Sequence, residues 1–240
     1  MKNLFPLLLI VMPAGAVAAP EPDFSVRETR EAVYDFARCV AKRNHDRAAK
    51  VVLEDVGNAE ILRRYNRLVS GECLLKATPH TSGTVELRLA GDQFRYALAD
   101  ALVAVDLADV PPRDLTLVAP LKHREINASD YEAPAGKKIS RREAEELADA
   151  KIEALGYFYL SRFGECVVRT DAVAAKALLM AEPTSPEEDV AFTALGPLLG
   201  NCVEAGQQFK ASKAMLRGTI AVNYYRLAMA PLVPAPGMNQ

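Results

Sequence analysis

Phe36-Ala37-Arg38-Cys39-Val40 recurs later in the chain as Phe163-Gly164-Glu165-Cys166-Val167, and Gly71-Glu72-Cys73 recurs as Gly200-Asn201-Cys202. All four cysteines of the chain lie in these matched positions. A pair of cysteine-bearing segments that occurs twice indicates internal duplication. The sequence therefore predicts two tandem copies of one unit.

The amino terminus has the charged, apolar, small-residue order of a secretory signal peptide. Lys2 supplies the charge, Leu4–Met12 is largely apolar, and Ala16-Val17-Ala18 provides small residues that a signal peptidase accepts. We predict cleavage after Ala18, which makes residues 1–18 the signal peptide and the mature protein periplasmic or secreted. The apolar run is too short to span roughly 30 Å of hydrocarbon, so no membrane span is expected after cleavage.

The composition favours a folded protein that does not bind nucleic acid. Half of the residues are hydrophobic, which is unlike a disordered chain, and the formal net charge is −2. No basic stripe with interleaved aromatic residues is present, so the electrostatic footprint of nucleic-acid binding is missing from the sequence. The expected partner is an unidentified protein or small ligand of the cell envelope.

Four cysteines in an exported protein normally form disulfides. Three pairings are possible, and the duplication favours Cys39–Cys73 with Cys166–Cys202 because it repeats the same local link. A metal site would need clustered ligands at short spacing, and these cysteines are far apart with no histidine beside them. We therefore predict no metal and no cofactor.

Helical periodicity and capping signals predict a mainly α fold of two tandem helical repeats. Ser25 with Glu28 and Ser140 with Glu143 form matching capping boxes, each of which starts a first helix. Gly71 and Gly200 are predicted to end the third helix of each copy with a left-handed cap.

One short strand is predicted in each copy, at Val85–Leu89 and Gln208–Ala211, and the two strands could pair across a pseudo-two-fold axis. Extended loops are the alternative for both segments.

The domain prediction assigns residues 24–107 and 140–230 to the two repeats. Residues 108–139 form a proline-interrupted connector, and residues 231–240 a disordered tail. Leu115, Leu117, Val118 and Leu121 predict that the connector packs along the surface.

The recurring phenylalanine–cysteine and glycine–cysteine segments, together with an arginine in the last helix of each copy, resemble a group of exported bacterial proteins with a duplicated helical repeat. The resemblance would cover most of the mature chain. Its motifs are structural, and it implies no activity and no catalytic residue.

Three residues are candidate binding residues. His80 lies in a polar loop, Lys76–Gly83, that is longer in the first copy than in the second. Arg95 and Arg217 occupy the same repeat position in otherwise apolar helices. Structural pairing with a carboxylate or carbonyl is the favoured interpretation of these arginines, and anion binding between the copies or a snorkelling surface position are the alternatives.

No linear catalytic motif is present, so no catalytic residue is predicted. His45 and His123 are interpreted as ordinary solvent-facing residues. The first functional hypothesis is a non-catalytic periplasmic binding or scaffold protein. An inhibitor or secretion accessory protein would instead expose an apolar patch. An enzyme would carry clustered acidic, basic or histidine side chains in a cleft, with shifted pKa values.

Overall fold

In the computed structural model, residues 25–78, 89, 92–203 and 211–232 are described. Most of them are helical, which confirms the mainly α prediction. The helices are α1 (Val26–Arg43), α2 (His45–Leu53), α3 (Asn58–Arg64), α4 (Gly71–Ala77), α5 (Gln93–Asp106), α6 (Arg141–Thr170), α7 (Ala172–Met180), α8 (Pro186–Asn201) and α9 (Lys213–Met229). Short 3-10 helices lie between them, at Asn66–Leu68 before α4 and at Leu115–Leu117 and Ala128–Tyr131 before α6. Within the described ranges, no helix combines the length and the apolar character that a membrane span requires.

Local signals start the two long helices as predicted. The side chain of Ser25 accepts from the backbone N–H of Glu28, and the Glu28 carboxylate accepts from the backbone N–H of Ser25. Ser140 and Glu143 form the same reciprocal pair at the start of α6. Each box satisfies two backbone groups that a helix start otherwise leaves without partners.

The centre of the molecule is the pair α5 and α9, most of whose residues are buried. Helix α1 packs on α5, and α6 packs on α9. The central helices touch at Gly218, where an added Cβ would lie 2.4 Å from the Cβ of Tyr96. Only glycine permits this approach, which draws both halves of the chain into one hydrophobic core.

Both disulfides pair as predicted. Cys39 of α1 is bonded to Cys73 of α4, and Cys166 of α6 is bonded to Cys202 directly after α8. The closed segments differ by only two residues, with sequence separations of 34 and 36. Each bond therefore ties the first helix of its half to the helix that precedes the central one.

The glycine caps are wrong in both copies. Gly71 is the first residue of α4, because the Ser70 side chain accepts from the backbone N–H of Cys73 and starts a helix there. Gly200 lies inside α8. The third helix of the first copy is also broken, since α3 ends at Arg64 and a 3-10 turn precedes α4.

The strand prediction falls mostly outside the described residues, which include only Leu89 and Ala211 of the two segments. Neither of these two residues belongs to a regular element. Within the described part of the chain, the single isolated β-bridge joins Val118 and Leu232 in antiparallel sense. Strand pairing between the copies stays a prediction.

The connector packs against the helices. Leu115 and Val118 are buried, as predicted, whereas Leu117 is exposed. The Arg169 guanidinium of α6 donates to the carbonyls of Leu115, Val118 and Ala119 at 2.6–2.9 Å. Hydrogen bonds from Arg169 to carbonyls of the connector, as well as apolar contacts, thus hold the connector against the helices.

Candidate functional site

A cavity of about 320 Å³ lies between the amino-terminal halves of α1, α5 and α9. We call it the large cavity. Each helix contributes residues spaced by three or four positions, which places them on one helical face. Its apolar walls include Val26, Val33, Tyr96, Ala97, Met215 and Gly218. The volume falls at the lower end of the range for small-molecule sites, about 300–1,000 Å³.

The base of the large cavity is a buried ion pair. Nε of Arg217 donates to Oδ2 of Asp100 at 2.7 Å, and Nη2 donates to Oδ1 at 3.0 Å. The same guanidinium donates to the carbonyls of Leu178 and Leu179 at 2.9 and 3.1 Å. Such two-pronged bonding fixes the guanidinium in place.

Glu188 joins this pair from the start of α8. Its side chain is fully buried and accepts from Arg30 at 2.7 Å and from Arg217 at 3.3 Å. The backbone N–H of Thr184 donates to the other carboxylate oxygen at 3.0 Å. Two arginines and two carboxylates therefore meet at the base, which carries no net charge.

Burial and ion pairing shift the pKa values of Asp100 and Arg217 in opposite directions. Burial raises the pKa of Asp100, and the Arg217 guanidinium opposes that rise. Burial lowers the pKa of Arg217, but the charge and hydrogen bonds of Asp100, together with the charge of Glu188, outweigh burial and leave the pKa raised. Burial also raises the pKa of Tyr34, on the cavity wall, to about 12. Asp100 and Arg217 support each other's charged form.

A second cavity of about 280 Å³ adjoins the first, and Tyr34 and Pro183 line both. We call it the acidic recess, because its charged residues are Glu31, Asp35 and Glu182 with Arg27 as the one cation among its described lining residues. The two cavities together offer an apolar space beside a negatively charged one.

Arg95, the predicted counterpart of Arg217, lies in a different environment. It is buried and pairs with Asp55, and its Nη2 lies 3.4 Å from Oδ2 of Asp92. Arg124 donates to Asp92 at 2.5 Å, and Arg226 lies 3.5 Å from Asp55. Three arginines thus share two aspartates.

Three arginines and two aspartates give this cluster a formal surplus of one positive charge. Burial and repulsion by Arg124 lower the pKa of Arg95 to about 9. The side chain of Tyr157 closes the cluster, since its hydroxyl donates to Asp55 and its ring lies 3.8 Å from the Arg124 guanidinium carbon. The space that remains is about 10 Å³, and we call it the small cavity.

His123 of the connector also lines the small cavity. Its Nε2 bonds the Glu165 carboxylate at 2.7 Å, and only 7% of its side chain is exposed. The solvent-facing interpretation is therefore wrong for His123. Burial would raise the pKa of Glu165, but hydrogen bonds from His123, the Leu121 N–H and Arg169 hold it at about 2.

The small cavity and the large cavity are lined by matching positions of the chain. Arg95, Tyr96, Thr219 and Val222 line the small cavity, and their partners at an offset of 122 (217 − 95) line the large one. Those partners are Arg217, Gly218, Ala97 and Asp100. The phenylalanine–cysteine segments are 127 residues apart in the chain (163 − 36). At the same offset, Tyr157 and Ser161 of the small cavity match Arg30 and Tyr34 of the large cavity.

Of the predicted site residues, Arg95 and Arg217 are both buried and paired with carboxylates, as the favoured interpretation required. The structure does not bring them into one site, since they line separate cavities. His80 lies outside the described residues, as does most of its loop. Its binding role stays a prediction.

Sequence reasoning missed Asp55, Asp100 and Glu188. Asp100 could have been found, because it is the one carboxylate in the middle of the apolar stretch of α5. Ser185 and Glu188 have the spacing of a capping box, but only the Glu188 amide donates to Ser185, while its carboxylate turns inward. Asp55 lies at a positive φ of 55° in a turn, which no sequence motif marks.

Among the described residues, no group of three histidine, cysteine, aspartate or glutamate side chains could hold a metal ion. The arrangement can enclose a ligand between apolar walls, above a neutral ion-pair base and beside an acidic recess. Comparison of the chain with family models, curated proteins and solved structures found no match.

Proposed function

We propose that this protein is an exported, non-catalytic binding protein that holds a small, largely apolar ligand in the large cavity. The observation that carries the proposal is a cavity of about 320 Å³ with apolar walls from three helices and convergent polar groups at its base. That combination is typical of small-molecule sites.

The bonding at the base favours binding over catalysis. Arg217 donates to Asp100, Glu188 and two carbonyls, and both oxygens of Asp100 accept from it. A general base or nucleophile must reach the proton or atom on which it acts. Groups committed to one another in this way serve instead to hold the three helices at a fixed separation around a ligand.

Export and duplication belong to the same proposal. The signal-peptide pattern at residues 1–18 supports export to the periplasm or beyond, and two disulfides are compatible with an oxidising compartment. Matching disulfides and matching cavity positions support two tandem repeats around the α5–α9 pair. Membership of the exported bacterial group that the sequence resembles is proposed on the same residues.

The binding proposal is tested by calorimetric titration of the oxidised protein with 1-octanol, a small apolar probe. We expect saturable binding with one site per chain. Ala97→Phe places a larger side chain in the large cavity and should abolish it, whereas Ala148→Phe, at an exposed position of α6, should not. Equal binding by both variants, or no binding of octanol by the unaltered protein, would contradict the proposal.

One observation favours a second candidate, an inhibitor or secretion accessory protein. Ile152, Leu155 and Tyr159 are exposed by 68%, 43% and 38% and lie at helical spacing on α6. An apolar stripe of this kind can dock a protein partner. Cross-linking in intact cells with Ile152→Glu as the comparison tests it, since a docking stripe should lose its captured partner in that variant.

A further inference from the structure

We infer that the ligand of the large cavity is a small amphiphile whose polar end is cationic, bound with its apolar part in the large cavity and its ammonium or guanidinium group in the acidic recess. This inference rests on the proposed function, and it adds the chemical class of the ligand. It follows from the charges around the two adjoining cavities.

The charged groups at the base of the large cavity balance one another, so they give no preference for a charged ligand. Arg30 and Arg217 are bound to Asp100 and Glu188, and the four formal charges sum to zero. The remaining polar residues of its walls, such as Gln93 and Ser212, are uncharged. The apolar walls accept a hydrocarbon part and leave the choice of polar end to the recess.

The acidic recess has a negative surplus. It contains three carboxylates, of Glu31, Asp35 and Glu182, and one cation, Arg27. Arg27 is committed to Glu31 at 2.8 Å, and Thr184 donates to the same carboxylate. No ion pair of Asp35 is found among the described residues, and Glu182 has only a 3.5 Å contact with Arg38.

Tyr34 links the two cavities and provides a second observation, independent of the acidic cluster. Its side chain lines both cavities although the residue is only 8% exposed. No hydrogen bond of its hydroxyl is found among the described residues. The hydroxyl oxygen itself is accessible at this junction, so it can donate to or accept from a polar group of a ligand.

A cation that reaches the recess is therefore attracted by two carboxylates that have weak partners or none, while an anion is repelled by three. Partly exposed ion pairs of this kind each contribute a small amount, so two of them together correspond to roughly a tenfold gain in affinity. The gain should shrink as salt rises, because these charges are accessible to solvent.

The experiment compares three probes with the same apolar chain, octylammonium, 1-octanol and octanoate, by calorimetry on the oxidised protein at low salt. We expect octylammonium to bind about tenfold more tightly than octanol, and octanoate to bind most weakly. The double variant Asp35→Asn/Glu182→Gln should reduce the affinity for octylammonium about tenfold and leave that for octanol unchanged. The control double variant Glu132→Gln/Asp149→Asn removes two exposed carboxylates that line neither cavity, and it should change nothing.

The outcomes separate this inference from the function on which it rests. If octanol binds as tightly as octylammonium, the cavity is a binding site and the cation inference is wrong. If the control variant weakens octylammonium as much as the recess variant does, the preference reflects overall charge and the inference is also wrong. If none of the three probes binds, the proposed function fails first.

Discussion

The surroundings of Arg217 and of Arg95 differ although the sequence pattern predicts equivalent positions for the two arginines, one on α9 and one on α5. Arg217 shares a neutral cluster with two carboxylates beside a cavity of about 320 Å³. Arg95 shares a cluster with two other arginines and two aspartates beside a cavity of about 10 Å³. Two arginines that the sequence pattern places at equivalent positions thus lie beside cavities of very different size.

The connector accounts for much of the difference. Arg124 and His123 enter the first-half site from the connector, and Arg226 donates to the Lys122 carbonyl of the same segment at 2.7 Å. Tyr157 stands where the other site has Arg30, and its hydroxyl reaches Asp55. The size of the cavity therefore depends both on which side chain stands at a matched helix position, as with Tyr157, and on the connector that lies over the small cavity.

The largest effect is expected from removing the charge of Asp55. Asp55→Asn keeps a residue that tolerates a positive φ, yet leaves Arg95 and Arg226 without their shared carboxylate. Breaking a buried pair in this way costs about 3–5 kcal/mol. Urea denaturation measures the loss, with the exposed Asp109→Asn as a control that should cost less than about 0.5 kcal/mol. A loss below about 1 kcal/mol would mean that Asp92 alone balances the cluster.

The disulfides should contribute equally to the two halves, in contrast to the arginines. Cys39→Ala/Cys73→Ala and Cys166→Ala/Cys202→Ala each open a loop of nearly the same length. The chain-entropy model predicts a loss of about 3.8 kcal/mol for each double variant. Thermal unfolding of both variants checks this. Losses in the free energy of unfolding that differ by more than about 2 kcal/mol would show that the two disulfides do not stabilise their halves equally.

Replacing the matched arginines tests the charge difference directly. Arg217→Met leaves the buried Asp100 without its ion-pair partner, whereas Arg95→Met removes one of three crowded arginines and relieves repulsion. We expect Arg217→Met to lower the free energy of unfolding by about 1–3 kcal/mol more than Arg95→Met does. Equal losses, measured by urea denaturation at pH 7, would remove the distinction between the two clusters.

A smaller, pH-dependent effect is expected at the connector. Glu165 has a folded pKa of about 2, below its ordinary value of 4.5, so it stabilises the folded protein above pH 4.5 and this contribution is lost as pH falls toward 2. Glu165→Gln should therefore lower the melting temperature at pH 7 and have little effect near pH 2. The exposed Glu125→Gln is the control. A difference between Glu165→Gln and the original protein that does not change with pH would contradict the assignment.

The sequence by itself determined the helical class, the two disulfide pairs and the capped starts of α1 and α6. These features depend on contacts between near neighbours in the chain or on a link that occurs twice, so local sequence patterns are enough to predict them. It also favoured structural pairing of Arg95 and Arg217 with a carboxylate or a carbonyl, because a buried arginine requires such a partner.

Only the tertiary structure decided which carboxylates those are and which site stays open. Asp55, Asp100 and Glu188 reach the arginines from other helices and turns, up to 117 residues away in the chain. Gly218 permits α5 and α9 to approach, and the connector then covers one of the two matched sites. Such contacts join distant segments, and since a cavity is the space they leave between them, no local pattern of residues specifies it.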